Sequence, residues 1–281
     1  MNAKQSGKAR TIEVEIELDA TPEAVWKALT DARELENWFP LEARVEPGVG
    51  GEIWMSWGEP WVGSSPISIW EPNRHLRTTG FAPMAEEDGG AAPAASYVDY
   101  QLESKGGKTI LRLVHSGFAA GTEWEDELFE GTRRGWRYEL RGLRHYLRYH
   151  LGERRLVAWP RTAIKVSADE AWRRVMGAQG LLQEGNVSGL RDGERYQLQA
   201  VTGQRFEGVV LVNDPPLEFA GTVENMNQAV LGVRLNECSS HEANSGHEAG
   251  MFLSTWGVSQ DKVDAFRERW LKIFRGLFPE P

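Results

Sequence analysis

The longest amphipathic pattern in the chain covers residues 123–151. Its apolar positions lie seven, four, three and four residues apart, so at about 100° per residue they fall on one face of an α-helix. These positions are Phe129, Trp136, Leu140, Leu143 and Leu147. The pattern predicts one long helix that is buried along this face.

Two further faces of this helix carry charge or glycine. Five arginines lie roughly 90° from the apolar face by the same geometry, which is typical of a solvated edge paired with acids such as Glu130; docking of an acidic partner is the alternative. They are Arg133, Arg137, Arg141, Arg144 and Arg148. Gly131, Gly135 and Gly142 share the opposite flank. Since each glycine costs about 1 kcal/mol relative to alanine in a helix, we expect a strand or a ligand close to the backbone there.

The stretch before this helix alternates apolar and polar residues in short runs, as half-buried strands do. Residues 11–18 are the clearest run, and Thr21 with Pro22 predicts a helix start, followed by a second short helix over 32–38. Further strands are predicted at 42–45, 52–57, 64–70, 74–79, 96–103 and 109–115. Residues 82–95, rich in Ala, Pro, Gly and acids, are expected to form a long mobile loop. The pattern indicates an antiparallel meander closed by the long helix.

After residue 152 the same order of elements starts again. The predicted elements are a strand at 161–166, a helix capped by Ser167, a strand–turn–strand unit over 210–219, strands at 228–236 and 251–256, and a helix from the cap Ser259 to residue 278. Val263, Phe266, Trp270, Phe274 and Leu277 repeat the apolar face of the first long helix. Each half therefore reads as a strand, two short helices, strands and a long helix. We predict an α+β protein with a disordered tail over 1–10 and two domains, 11–152 and 156–281.

Composition narrows the classes of partner and compartment. With 281 residues and 41% hydrophobic content the chain can build two cores, and a net charge of −9 disfavours binding to nucleic-acid phosphates or to anionic membranes. Cys238 is the single cysteine, which excludes an internal disulfide framework and a multi-cysteine metal site. No run of 18 apolar residues occurs, and the polar start is no signal peptide. The expectation is a cytoplasmic protein without cofactor, metal, nucleic-acid or membrane partner.

These elements resemble the START-like (SRPBCC) superfamily, which has the helix-grip fold, and within it the activator of heat-shock protein 90 ATPase homologue family. The residues that carry the resemblance are Pro22, Val25, Trp26, Leu29, Trp38, Phe39, Pro40, Gly50, Gly51, Gly135, Trp136 and Leu143. Residues 10–152 fit well, whereas 156–281 read as a degenerate second copy, in which Ala168 replaces the helix-starting proline. The resemblance implies a curved antiparallel sheet wrapped on a long carboxy-terminal helix, with a cavity between them for a hydrophobic small molecule. It implies no shared catalytic residues.

If the helix-grip fold holds, nine residues of the first domain are candidates for ligand binding. They are Trp38, Phe39, Trp54, Trp57, Trp70, His115, Phe118, Trp136 and Leu140. The alternative is a filled core, because aromatic side chains bury large apolar areas in small domains. Strand alternation places Trp54 and Trp57 on opposite faces, so some of these tryptophans must face away from any cavity.

Two histidine-containing features are candidate chemical sites. His115, near the end of the last strand, could donate to a ligand carbonyl or act as acid or base, with Glu123, Glu125 or Asp126 as partner; a purely local hydrogen bond is the alternative. His241, His247 and Glu248 lie in a predicted loop over 239–248, but their spacing matches no established metal site. No hydrolase, phosphate-loop or zinc-protease motif occurs.

Three functions are compatible with these patterns. The first is a non-catalytic protein that binds a small hydrophobic ligand between sheet and long helix. The second is a co-chaperone-like protein that interacts with a chaperone or another protein through its surface. The third is a polyketide cyclase-like or hydratase-like enzyme that acts through His115. The sequence favours the first and names neither the ligand nor the oligomeric state.

Overall fold

A computed structural model describes residues 10–59, 61–80, 96–120, 122–236 and 247–279. The chain divides into two compact units, residues 1–152 and 153–281. Each unit has its own antiparallel sheet and its own long carboxy-terminal helix. No helix in the described ranges is long and apolar enough to cross a membrane, and a cytoplasmic location stays a prediction.

Unit 1 contains seven strands and three helices within its described residues. They are β1 (Arg10–Leu18), α1 (Pro22–Thr30), α2 (Ala32–Glu36), β2 (Glu42–Val45), β3 (Glu52–Ser56), β4 (Val62–Glu71), β5 (His75–Thr79), β6 (Tyr97–Lys105), β7 (Lys108–Phe118) and α3 (Glu123–Tyr149). The sheet order is β1-β7-β6-β5-β4-β3-β2. The predicted meander is confirmed, because β2 to β7 are neighbours in chain order and β1 pairs with β7.

Helix ends in unit 1 follow from capping residues. The Thr21 side chain accepts a hydrogen bond from Ala24 N (3.4 Å) at the start of α1. Asp31 accepts bonds from two backbone N–H groups at the start of α2, which ends at Glu36 and is two residues shorter than predicted. Thr122 and Glu125 form a reciprocal capping box before α3.

The predicted tail over 1–10 is wrong at its last residue. Arg10 belongs to β1, and its guanidinium group bonds Asp126 of α3 (2.6 Å) and lies 4.5 Å from the centre of the Phe129 ring. The first nine residues and the loop predicted over 82–95 lie outside the described residues.

Unit 2 repeats this plan with fewer helical residues. Its elements are β8 (Arg155–Ala158), β9 (Arg161–Ile164), α4 (Ala168–Val175), β10 (Glu184–Gly185), β11 (Arg195–Gln199), β12 (Arg205–Asp214), β13 (Glu218–Val223), a 3₁₀ turn (Glu224–Met226), β14 (Ala229–Asn236), β15 (His247–Trp256) and α5 (Gln260–Leu277). The sheet order is β10-β11-β12-β13-β14-β15-β8, and β9 also pairs with β15. Val263, Phe266, Trp270 and Phe274 of α5 are buried in one core with the strand residues.

Three sequence expectations for unit 2 need correction. Its first strand begins earlier than predicted and is broken at Pro160, so that β8 and β9 pair with successive parts of β15; proline has no N–H to give to a ladder. The predicted second short helix does not occur among the described residues, where α4 is followed by turns. Ser259 does precede α5, but its side chain makes no capping hydrogen bond.

The glycine flank of α3 does not contact the sheet. Gly131 is exposed, and Gly135 and Gly142 are half-buried. A Cβ atom added at any of the three would have no neighbour within 4 Å. The prediction of a close strand at this flank is therefore wrong, and a ligand there stays a prediction. The spacing of residues along the sequence shows which of them share a helix face, but it does not show what packs against that face.

Replacing these glycines with alanine is expected to stabilise unit 1. Each of Gly131→Ala, Gly135→Ala and Gly142→Ala should raise the free energy of unfolding by up to about 1 kcal/mol, because alanine restricts the unfolded chain and fits the space. Urea unfolding measures the change. Gly107→Ala is the matched control: it also meets no atom within 4 Å, but its φ of +83° should make alanine destabilising. A loss of stability in the three helix variants would contradict the observed open space.

Candidate functional site

Aromatic side chains from α3, from the sheet and from the segments that follow α2 and β3 form a connected group in unit 1. We call it the aromatic cluster: Trp38, Phe39, Trp57, Tyr100, His115, Phe118 and Trp136. Trp38 and Phe39 stack at 4.9 Å, and Trp57 meets the Phe39 ring edge-on at 5.0 Å. The apolar face of α3 brings Trp136 to 5.8 Å from Phe39 and 6.1 Å from Tyr100. The cluster thus joins the helix to the inner face of the sheet.

His115 lies at the β7 end of the aromatic cluster. Its Nδ1 accepts a hydrogen bond from Trp136 Nε1 (2.9 Å), and its ring packs 4.6 Å from Phe118. Since Nδ1 is the acceptor, the neutral ring carries its proton on Nε2. Burial lowers the pKa of His115 to about 4, because the charged imidazolium loses its solvation. His115 is therefore a neutral side chain at pH 7 and a weak base.

Two of the three carboxylates that the sequence offered as partners of His115 are engaged elsewhere. Glu125 belongs to the capping box of α3, and Asp126 pairs with Arg10. The described hydrogen bonds and ion pairs place no carboxylate against the imidazole. The alternative for this histidine was a hydrogen bond without a chemical role, and its Nδ1 contact with Trp136 is a bond of that kind.

A cavity lies beside the aromatic cluster, between the helices and the inner face of the sheet. It is lined by Leu29, Leu35, Trp38, Phe39, Ile53, Met55, Ser65, Leu76, Thr78 and Tyr100. Its volume of about 20 Å³ holds one water molecule, which needs roughly 10–15 Å³ on this measure. The space is therefore smaller than any organic ligand unless a wall side chain moves.

Two of the nine predicted ligand-binding residues, Trp38 and Phe39, line this cavity. Trp57, Phe118, His115 and Trp136 belong to the surrounding cluster, and Leu140 is buried in the core at 1% exposure.

The remaining two tryptophans make other contacts. Trp54 is half-buried beneath the Arg44 guanidinium group, 4.1 Å from its ring, while its neighbours Ile53 and Met55 line the cavity, as strand alternation predicted. Trp70 packs edge-on against Trp26 of α1 at 5.0 Å.

The polar wall of the cavity was not predicted from the sequence. Ser65, Thr78 and Tyr100 reach it from β4, β5 and β6. Ser65 is 1% exposed, and its Oγ has no hydrogen-bond partner within the described parts of the chain. A buried hydroxyl left unpaired costs about 1–3 kcal/mol. Burial raises the pKa of Tyr100, so its hydroxyl stays neutral. The position of Ser65 at the cavity follows from the pairing register of β3 and β4, in which Ser65 lies opposite Ile53. The sequence alone does not reveal this register.

A second set of residues missed from the sequence joins α2 to the end of α3. The Tyr146 hydroxyl donates to the buried Glu34 carboxylate, which also bonds Lys27 Nζ (2.9 Å). Gly152 N donates to the same hydroxyl (2.9 Å). Burial and the bond to Glu34 raise the pKa of Tyr146 to about 12. The pattern is that of a structural anchor for the last residues of unit 1.

The outer face of the same sheet carries a buried charge. Asp99 of β6 is 3% exposed and accepts bonds from Arg77 Nε (2.8 Å) and His75 Nε2 (2.7 Å) of β5. Burial opposes ionisation, but the bonds from Arg77 and His75 prevail and hold the pKa of Asp99 below its ordinary value. Arg77 also lies 4.3 Å above the Tyr97 ring.

The described residues contain no group of three or more His, Cys, Asp or Glu side chains placed to hold a metal ion. His247 and Glu248 belong to β15 rather than to the loop predicted over 239–248, and His241 lies outside the described residues. Burial raises the pKa of Glu248, against the attraction of Arg161.

Acid is expected to destabilise unit 1 through His115. Between about pH 6.5 and 4 the unfolded chain binds a proton that the folded chain does not, so the free energy of unfolding falls as the pH falls, by on the order of 3 kcal/mol over the whole window. Urea unfolding of the wild type and of His115→Gln between pH 7 and 4.5 isolates this contribution, because glutamine keeps an acceptor for Trp136 but does not titrate. Parallel pH profiles for the two proteins would contradict the buried neutral histidine.

The fold and the aromatic cluster together define a tandem START-like protein with two helix-grip domains. Residues 19–148, most of unit 1, match the family model described as activator of Hsp90 ATPase homolog 1-like protein. The resemblance drawn from the sequence is thereby confirmed. No curated protein matches the chain.

Solved structures with a similar fold cover either one unit or both. The Aha1 dimer protein from Colwellia psychrerythraea is 21% identical and covers 49% of this chain and 96% of its own, with a TM-score of 0.42. Protein MLL2253 from Mesorhizobium loti is 25% identical over 50% of this chain and 98% of its own (TM-score 0.40). The di-domain ARO/CYC BexL from the BE-7585A biosynthetic pathway is 16% identical over 97% of this chain and 99% of its own (TM-score 0.41). At these values the likenesses carry no information on ligand or partner.

Proposed function

We propose that unit 1 is a non-catalytic binding domain for a small hydrophobic, ring-containing molecule. The observation that carries this proposal is the cavity beside the aromatic cluster, with Phe39 among its lining residues. Apolar walls with a few polar groups are the usual form of a ligand site.

Phe39 is the side chain that must move to admit a ligand. It is half-buried, unlike the fully buried Trp38 beside it, and it follows the short helix α2. Rotation of this ring away from Trp38 and Trp136 would join the cavity to the surface. The cost of displacing the ring would weaken the apparent affinity, because the apparent Kd equals the intrinsic Kd divided by the fraction of protein with the cavity open.

The binding of naphthalene to the full chain tests this proposal. Phe39→Ala should bind naphthalene more tightly than the wild type, because the variant no longer has to displace the ring. Phe129→Ala is the matched control, since Phe129 packs on Phe118 and does not line the cavity; its affinity should equal that of the wild type. Failure of both the wild type and Phe39→Ala to bind would exclude the proposal.

Native mass spectrometry of gently purified protein adds an independent measurement. A mass above that of the 31.6 kDa chain would identify a retained ligand directly. We expect a fraction of the wild-type protein to carry a ligand, and we expect this fraction to be larger for Phe39→Ala.

Acid–base catalysis through His115 has less support than binding. A general base works best when its pKa is near the operating pH, whereas burial lowers the pKa of His115 to about 4 and Trp136 occupies its Nδ1. We therefore place the cyclase-like or hydratase-like alternative behind ligand binding, with His115 as a member of the aromatic cluster beside the cavity.

The family description supports a second proposal, an interaction with a chaperone of the Hsp90 type. Such an interaction would use the exterior of unit 1, where Arg144 and Arg148 of α3 are exposed. Arg133, also exposed, pairs instead with Glu130 at 2.7 Å. Stimulation of the ATPase of the chaperone from the same cell by the full chain tests this proposal, and an unchanged ATPase rate would remove it.

A further inference from the structure

The polar wall of the cavity narrows the class of ligand beyond a hydrophobic ring. Ser65, Thr78 and Tyr100 face the space, and none of the ten lining residues has a side chain that is charged at neutral pH. An anion enclosed there would lose its hydration without gaining a cationic partner. The cavity walls thus disfavour carboxylates and other ions.

Ser65 supplies the specific contact. Its Oγ is buried without a partner in the described structure, on a strand position that faces Ile53 and the cavity. In the absence of ligand, a single water molecule fits the space and can bond the hydroxyl. A purely apolar ligand would displace that water and leave Ser65 unpaired, whereas a ligand with its own hydroxyl or carbonyl would replace the lost bond.

We infer that Ser65 selects an uncharged ring compound that carries one hydroxyl or carbonyl group at its buried end. This inference rests on the proposed function, because it concerns the same cavity. It differs in naming the ligand's polar group and the residue that recognises it. The occupant is oriented with its polar end toward β4 and its apolar body toward Phe39.

Three probes of similar size separate the alternatives: naphthalene, 2-naphthol and 2-naphthoate, titrated into the full chain at pH 7. The wild type should bind 2-naphthol roughly 3- to 10-fold more tightly than naphthalene, the range that one neutral hydrogen bond provides. It should bind 2-naphthoate more weakly than naphthalene, because the carboxylate has no partner. Phe39→Ala should bind all three probes more tightly than the wild type, so titrations of this variant bring their affinities into a measurable range.

Ser65→Ala should abolish the preference for 2-naphthol and leave the affinity for naphthalene within about twofold. Ser64→Ala is the matched control, because Ser64 lies on the same strand opposite Trp54, on the face away from the cavity; it should keep the preference. The comparison of probes on the wild type needs no variant, so poor folding of Ser65→Ala leaves the test intact.

The outcomes distinguish the inference from the proposed function. Equal binding of naphthalene and 2-naphthol by the wild type, or a preference that persists in Ser65→Ala, overturns the role of Ser65 while ligand binding stands. Tight binding of 2-naphthoate overturns the uncharged class. Binding of no probe by either the wild type or Phe39→Ala overturns both.

Discussion

Replacing Arg77 with methionine is expected to lower the free energy of unfolding by about 3 kcal/mol, because the change removes the main partner of a buried carboxylate. Asp99 is 3% exposed and receives two bonds from the Arg77 guanidinium group. His75 remains as its second partner, at 2.7 Å, which places the effect at the lower end of the range for a broken buried pair. Urea unfolding of the full chain measures the change, with eight of the twelve tryptophans in unit 1 as reporters.

Arg112→Met is the matched control for this prediction. Arg112 pairs with Glu13 at 2.8 Å on the same side of the sheet, but both side chains are half exposed. Such a surface pair contributes at most about 1 kcal/mol. Asp99→Asn combined with Arg77→Met should recover part of the loss, since a neutral amide costs less to bury. Equal losses for Arg77→Met and Arg112→Met would show that the burial of Asp99 has no energetic consequence.

The pH dependence of the same pair has a defined sign. Because the pKa of Asp99 is held below its ordinary value, its contribution is complete above about pH 4 and is lost as the pH falls through the folded-state pKa. The stability difference between wild type and Arg77→Met should therefore shrink in acid. His115 acts over the separate range between pH 6.5 and 4, so the two effects can be measured in sequence.

Features that repeat with a fixed period were predictable from the sequence. The apolar face of α3 recurs in α5, and its burial follows from the spacing of residues such as Trp136 and Trp270. The Thr21–Pro22 helix start depends only on neighbouring residues and was also readable. Local chemistry of this kind specifies the elements, and their repetition along the chain indicates two domains.

Features that depend on pairing between distant segments were not predictable. Alternation along β6 directs Asp99 outward, but its burial arises from side chains of β5 that face it across the ladder. Ser65 is one of several serines in β4, and only the register with β3 places it in the cavity. The glycines of α3 were wrongly predicted for the same reason, because a helical wheel describes the surface of one helix and not the element that packs against it.

Removal of the Trp136 side chain should have the largest effect within the aromatic cluster. Trp136→Ala is expected to lower the free energy of unfolding by about 3–5 kcal/mol, the usual cost of deleting a buried large aromatic residue. Trp136 is 8% exposed and contacts Phe39, Tyr100 and His115. Trp54→Ala is the control, because Trp54 is half-buried on the other face of the sheet; its cost should be clearly smaller.

Trp136→Phe separates the hydrogen bond from the packing. Phenylalanine keeps an aromatic ring against Phe39 but removes the N–H group that bonds His115 Nδ1. Nitrogen-15 NMR of the imidazole should show the Nε2–H tautomer in the wild type and a mixture of tautomers in the variant. An unchanged tautomer in Trp136→Phe would mean that another group fixes the ring. In that case the position of His115 in the aromatic cluster would not require the hydrogen bond from Trp136.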